Sequence, residues 1–283
     1  MTSAEAPVRV GDVGGWTDTW FAERGCVFSI AVGPGVRADV TPARGVEVVP
    51  ESALVRAAIA AAGATDVRVE VTSAVPPGAA LGSSAAVCVA VLAALAPGPD
   101  LAARAHAVEL ALGWQSGVQD QVAAAHGGVN RIDVTYPHTD VTPLAGDTEA
   151  LDRALVVVYL GRPHVSSAVH DEVIARGDRT KLARLAALAA DAGAAYESGD
   201  LAGLGAVFTA ATEGQRALHP GLVCEQADAL VAVGAAAGAW GAKVNGAGGD
   251  GGSLAFLTPD RERLLAALAA TPGPHEVLPL RLA

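Results

Sequence analysis

The sequence predicts an α+β protein with antiparallel strands. Three observations lead there. Strand-like and helix-like runs alternate along all 283 residues. The strand runs "VFSIAVG", "VRADVT" and "VEVV" follow one another across Gly and Pro with no helix between them, so a strict βαβ repeat does not fit. Near the C-terminal end, two short strand runs flank a glycine turn.

Taken in order, the elements follow from local chemistry. "ESALVRAAIAAAG" reads as a helix closed by glycine, and "DVRVEVTS" alternates as a strand. The stretch "PGAALGSSAA" then introduces a helix that is apolar on every side and stops at Pro97. Asp100 starts another helix, "DLAARAHAVELALG". A shorter helix, "VQDQVAAAHGG", leads into the strand "VNRIDVT". The composition shifts at "PLAGDTEALD", which sets the expected boundary between domains 1–150 and 151–283. Beyond it come the strand "ALVVVYLG", Ala/Leu-rich helices between Ser166 and Gly238, and the strands "AKVN" and "GSLAFL". The helix "PDRERLLAALAA" and a last strand, "HEVLPLRL", complete the chain. No internal repeat and no long low-complexity linker is present.

Bulk composition narrows the function. Apolar residues make up 51% and charged residues 17%, the balance of a globular chain. A net charge of −11 argues against nucleic acid or an anionic membrane as partner. Cys26, Cys88 and Cys224 show no CxxC spacing, which fits a reducing compartment and offers no zinc site. The start "MTSAEAPVRV" lacks a signal pattern. The apolar run 85–96 is shorter than the ~20 residues a bilayer span needs. The expectation is a soluble, cytoplasmic protein.

Four stretches carry chemistry. In "PGAALGSSAA", Gly78 and Gly82 let backbone N–H groups turn toward one point, and the helix that follows adds its positive end. This suits an anion, although Ser83 or Ser84 acting as a plain N-cap explains the same letters. No GxxxxGK[ST] P-loop occurs. "KVNGAGGDGGS" is a second glycine-rich loop, between two strands, where a tight hairpin is the competing explanation. "RVGDVGGWTDTW" sets Arg9, Asp12, Trp16, Thr17 and Asp18 around Gly14 and Gly15, a mixture suited to binding hydroxyl groups. In "GVQDQVAAAHGG", Asp120 stands at a helix start, where an acidic residue is also favoured by the helix dipole alone.

In this order the four stretches resemble the GHMP kinase superfamily, which includes galactokinase, homoserine kinase, mevalonate kinase and phosphomevalonate kinase. "PPGAALGSSAA" is similar to the family's central motif, with Ala80 where glycine is usual. "GAGGDGG" is similar to its third motif, with Asp250 inserted. "GGWTD" and the Gln-Asp-Gln segment look most like the fucokinase and heptose-7-phosphate kinase branch.

The resemblance implies an N-terminal domain like ribosomal protein S5 domain 2, a ferredoxin-like C-terminal domain, and sites between them. It implies ATP and Mg²⁺ as cofactors. Gly78, Gly82, Ser83, Ser84 and Ala85 would wrap the nucleotide phosphates, with Ser84 and Glu109 on the metal. Asp120 would take or orient the acceptor hydroxyl proton, and Arg9 would stabilise the transferring charge. Gly15, Trp16, Thr17 and Asp18, with Gly246, Gly248 and Gly249, would hold the substrate.

The reading is therefore a kinase of a sugar or sugar-phosphate hydroxyl, the anomeric one favoured. A cyclitol or other polyol kinase and an inactive sugar-binding relative remain as alternatives. For Glu109 the competing explanation is a solvated helix carboxylate, and for Asp18 a tight turn that caps local structure. His164 and His170 do not have the i, i+4 spacing of a helical metal pair. Ser166 is expected to cap the helix that follows it, in a loop placed to cover the substrate. The Ala/Leu stripes at 182–195 and 227–238 are expected in the core or an interface.

Overall fold

In the computed structural model, which describes residues 1–164 and 168–283, a 12-residue strand β1 (Thr2–Val13) pairs antiparallel with a 19-residue strand β2 (Arg24–Pro42). The expected Ser166 cap lies outside the described residues. Next come β3 (Val46–Val49), α1 (Ala53–Ala61), β4 (Val67–Ser73), α2 (Ser83–Leu95), α3 (Leu101–Ala111) and α4 (Gln119–His126). The middle of the chain holds β5 (Val129–Thr135), β6 (His138–Pro143), α5 (Thr148–Ala154), β7 (Leu155–Tyr159), α6 (Ala168–Arg176) and α7 (Arg179–Glu197). The last elements are α8 (Leu201–Leu218), α9 (Glu225–Ala236), β8 (Gly241–Val244), β9 (Ser253–Leu257), α10 (Arg261–Ala270), β10 (Glu276–Leu278) and β11 (Arg281–Leu282).

The runs "VFSIAVG" and "VRADVT" belong to one strand, not two. Strand β2 is long enough to change partners: residues 24–30 pair with β5 and residues 36–42 with β4, both antiparallel. Strand β1 follows both halves, with a register shift between Ala6 and Val8. Gly35 sits at the changeover, where a Cβ would stand 2.2 Å from the Ala6 carbonyl oxygen, so only glycine allows the approach. The first sheet therefore runs β3-β4-β2-β5-β6, with β1 and β11 also on β2.

Helix α2 is apolar all round because it is enclosed all round. It runs against β1 and β2 and is flanked by α1, α3 and α4, and eight of its 13 residues are buried. The second sheet, β10-β7-β9-β8, is wholly antiparallel. Its strands bury both faces by simple alternation. Leu155, Val157, Ala255 and Leu257 join the main core with Phe28 and Ile30 of β2. Val156, Val158, Leu254 and Phe256 face Leu230 of α9 and Leu264 and Leu268 of α10. Helices α7 and α8 pack on each other, α7 against β2 and α8 against β8.

Helix starts follow side-chain capping. Ser52, Asp147, Asp178, Asp200 and Asp260 each accept a backbone N–H of the first turn of α1, α5, α7, α8 and α10. The run "HEVLPLRL" is split: β10 pairs with β7 in the second sheet, while β11 returns to β2 in the first. Asp152 of α5 secures that return, accepting from the Leu282 N–H at 2.9 Å and from Arg281 at 3.1 Å. No helix among the described residues is long and apolar enough to cross a membrane.

Candidate active site

Arg9, near the middle of β1, is 3% exposed. Its Nε donates to Asp120 Oδ1 at 2.8 Å and its Nη1 to the Ala80 carbonyl at 2.6 Å. Backbone pairing adds to this, since the Arg9 N–H donates to the Leu81 carbonyl at 2.9 Å. Burial by itself would lower the Arg9 pKa, but the carboxylates of Asp120, Asp12 and Asp18 outweigh it and hold the pKa above the usual value. Ala80, where the glycine motif carries alanine, has φ +58°, the left-handed conformation that glycine adopts without strain.

This pair opens on a cleft of about 860 Å³. Gly82 occupies the N-cap of α2 at φ +72°, and no side chain caps that helix. Ser83 and Ser84 form its first turn and line the cleft. A plain serine cap is thus not what the motif builds. A Cβ at Gly82 would come within 3.0 Å of the Asp120 carboxyl carbon, so the absent side chain lets Asp120 stand against the loop.

Glu109, in the last turn of α3, is 2% exposed, so it is not a solvated helix carboxylate. Its Oε2 accepts from Ser116 Oγ at 2.5 Å and Gln121 Nε2 at 2.6 Å. Its Oε1 is buried with no hydrogen-bond partner among the described residues. Burial pushes the Glu109 pKa up, against the opposing effect of hydrogen bonds from Ser116, Ser84 and Gln121. No group of three or more His, Cys, Asp or Glu among the described residues is placed to hold a metal. Mg²⁺ needs only one or two protein oxygens when phosphates supply the rest. A free buried carboxylate oxygen beside Ser84 fits that donor set.

Asp18 is 2% exposed and lines the cleft, but its carboxylate is already engaged. Oδ2 accepts the N–H of Gln119, the first residue of α4, at 3.1 Å. The sequence-level capping explanation therefore describes a real contact, and Asp18 anchors the helix that carries Asp120. Burial raises the Asp18 pKa to about 6. Thr17 is fully buried and spends its hydroxyl on the Gly14 carbonyl at 2.7 Å. Gly15 packs on Asp12, and Ala85 lies buried in α2. None of these three lines the cleft, whereas Trp16 does.

The second glycine-rich loop is fastened to β1. The Gly246 N–H donates to both Asp12 oxygens at 3.1 Å, and Asp12 is fully buried. Lys243 Nζ lies 3.7 Å from Asp12 Oδ1 and donates to Gln215 Oε1 at 2.7 Å. Burial pushes the Lys243 pKa down to about 8 despite Asp12. Gly246 lines the cleft; Gly248 abuts the Leu222 backbone and Gly249 abuts His164. Asp250 is exposed. Sequence reasoning passed over Lys243, although a lysine among the apolar residues of the strand run "AKVN" was a signal of a buried partner. It also passed over Trp20, Phe21 and Trp114 on the cleft wall, because scattered aromatics have no spacing signature.

Residues 52–128 match the family model described as GHMP kinases N terminal domain. No curated protein sequence matches the chain. Among solved structures, a D-glycero-D-manno-heptose 1-phosphate kinase from Bacteriodes thetaiotaomicron superposes with TM-score 0.79 at 19% identity, over 100% of this chain and 96% of the other. Lactococcus lactis galactokinase complexed with galactose gives 0.79 at 17%, over 99% and 93%. L. major mevalonate kinase in complex with R-mevalonate gives 0.77 at 16%, over 100% and 96%. The fold is that of the GHMP kinases. The family match itself covers residues 52–128, within the first half of the chain.

Proposed function

We propose that the chain is an ATP- and Mg²⁺-dependent kinase that phosphorylates a hydroxyl, by preference the anomeric one, of a sugar or related polyol. One observation carries the reading. The Arg9–Asp120 pair and the uncapped start of α2 line the same cleft.

Phosphoryl transfer asks the protein mainly for positioning and charge stabilisation. The free N–H groups at the start of α2, with Gly78 and Gly82 allowing close approach, receive phosphate oxygens. Ser84 and Glu109 would hold Mg²⁺, which supplies charge neutralisation between phosphate oxygens when bound. Asp120 accepts the hydrogen bond of the acceptor hydroxyl and orients it. Arg9 keeps that carboxylate in place and adds positive charge where the transferring group develops negative charge. Trp16 and the Asp18–α4 contact shape the acceptor side. A cyclitol satisfies the same geometry, and the galactokinase and heptose kinase folds give the sugar reading its support.

The test is ADP release from ATP and Mg²⁺ over a panel of free sugars, heptose phosphates and cyclitols. At least one polyhydroxy acceptor should stimulate release, and Asp120→Asn should abolish the stimulation. ATP binding with no acceptor-dependent release across the panel rejects the reading.

A further inference from the structure

The cleft is poor in positive charge. Among the described lining residues, Arg9 is the one lysine or arginine, against Asp18, Glu109, Asp120 and Asp171. Arg9 is itself committed to Asp120 and to the Ala80 carbonyl. None of the basic residues of α6 and α7 lines the cleft: Arg176 pairs with Glu172 at 2.9 Å, Arg179 with Glu23 at 2.9 Å and Lys181 with Asp178 at 3.4 Å, and Arg184 is exposed off the cleft wall. Arg162 is exposed and is not on the cleft wall. Residues 165–167 are Val-Ser-Ser and add no charge.

In place of cations the wall carries imidazoles. His164 and His170 stack with ring centroids 4.9 Å apart, and Trp16 meets His170 edge-on at 5.3 Å. His164 is tied by its N–H to the Gly78 carbonyl at 2.7 Å, so the wall is continuous with the phosphate-motif loop. His170 is 8% exposed, and its Nε2 and the Nδ1 of His164 have no partner among the described residues. Gly249 leaves room beside both rings, with a Cβ there 3.2 Å from His164 Nδ1 and 3.9 Å from His170 Nε2.

Granting the kinase reading above, we infer that the acceptor is an unphosphorylated polyol, a free sugar or cyclitol, whose end remote from the reacting hydroxyl lies against Trp16, His164 and His170. A ring nitrogen with no protein partner donates to or accepts from a hydroxyl equally well, according to tautomer. Burial lowers both histidine pKa values, and the neighbouring His170 further disfavours a charge on His164, so the wall stays uncharged at neutral pH. The indole of Trp16 offers a flat apolar face to the C–H side of a ring. A phosphorylated sugar would instead bring a dianion to a wall whose one cation, Arg9, is already paired with Asp120 and assigned to the transferring phosphoryl group. The nucleotide already claims the N–H groups of α2.

The experiment is calorimetry on the full chain with paired probes: a hexose, a heptose and an inositol, each free and as its monophosphate. At least one free polyol should bind, at least tenfold tighter than its phosphate. His170→Ala should weaken that binding at least fivefold, with ATP affinity unchanged. His170→Asn, which keeps a hydrogen-bonding group, should retain more of it and controls for misfolding. His170→Arg should move the preference toward the phosphorylated partner. Preference of the wild type for the phosphates, or binding of none of the free polyols, overturns the inference. Free-polyol binding without ADP release on the same probes rejects the kinase reading and leaves the selectivity of the pocket standing.

Discussion

Asp18 accepts the backbone N–H of Gln119, and the next residue is Asp120, whose carboxylate meets Arg9 at 2.8 Å. A residue of the first motif thus fixes the helix that presents the carboxylate of another. The acceptor pocket and the carboxylate proposed to orient the acceptor are mechanically one unit.

Asp120→Asn keeps the shape of the side chain and removes its charge. Turnover should fall by ~10²–10⁴, the usual range for loss of a positioned acid–base group. ATP affinity should change little. Single-turnover kinetics with calorimetric ATP binding measures both, and near-wild-type turnover at saturating acceptor would remove Asp120 from the reaction.

Glu109 and Ser84 should report on the metal. Glu109→Gln keeps the hydrogen bonds of one oxygen while withdrawing the charge, and Ser84→Ala withdraws a hydroxyl. Each should shift the Mg²⁺ titration of activity to higher concentration, Glu109→Gln by at least tenfold. An unchanged titration in Glu109→Gln leaves this buried carboxylate a purely structural role.

Asp18 links stability to pH. Its folded-state pKa is raised from the usual 3.8 to about 6. The stability this group contributes is complete below 3.8 and is lost as pH rises through about 6. Asp18→Asn, which can still accept the Gln119 N–H, should therefore be more stable than wild type at pH 7 to 8 by ~1–3 kcal/mol. The advantage should vanish near pH 4, as read by urea unfolding at the two pH values. Equal stability of the two proteins at pH 8 contradicts the buried-charge account.

Lys243 and Asp12 form a pair of which neither member reaches solvent. Lys243→Met leaves Asp12 with the Gly246 N–H and the nearby Arg9 charge, and removing one partner of a buried pair typically costs ~3–5 kcal/mol. The double variant Asp12→Asn with Lys243→Met should recover at least half of that loss in urea unfolding. The Lys243 pKa is depressed from 10.5 to about 8, so wild-type stability from this group falls as pH drops through about 8. The single variant should lack that dependence. A double variant no more stable than the single one argues against coupling between the two.

Much of the fold was legible because its elements announce themselves locally. The all-apolar "VCVAVLAAL" and the alternating "DVRVEVTS" became α2 and β4. Strand β1 was hidden because its interior positions include Arg9 and Asp12, polar residues that the site, not the strand pattern, requires. The fusion of two strand runs into β2 was hidden too, because a strand that changes partners midway carries Gly-Pro-Gly at the change. Strand β6, "HTDVTP", lies at the sheet edge with little buried surface, and so lacks an apolar face to read. Motif order singled out Arg9, Ser84 and Asp120, and the structure places all three on the cleft wall. The engagement of Asp18 with α4, 101 residues away in sequence, is a tertiary contact that spacing does not encode.

The return of β11 to the first sheet makes the backbone path a closed circuit. The chain leaves the first sheet for the second through α5 and comes back between Leu278 and Arg281, and Asp152 bonds the outgoing and incoming limbs side by side. Two sheets joined twice at one corner, and sharing the core of Phe28, Ile30, Leu155 and Leu257, do not part like the halves of a shell. On the proposed kinase reading, ligand entry and exit fall to the rim of the cleft, and product release is expected to depend on the loops there rather than on movement of one sheet against the other.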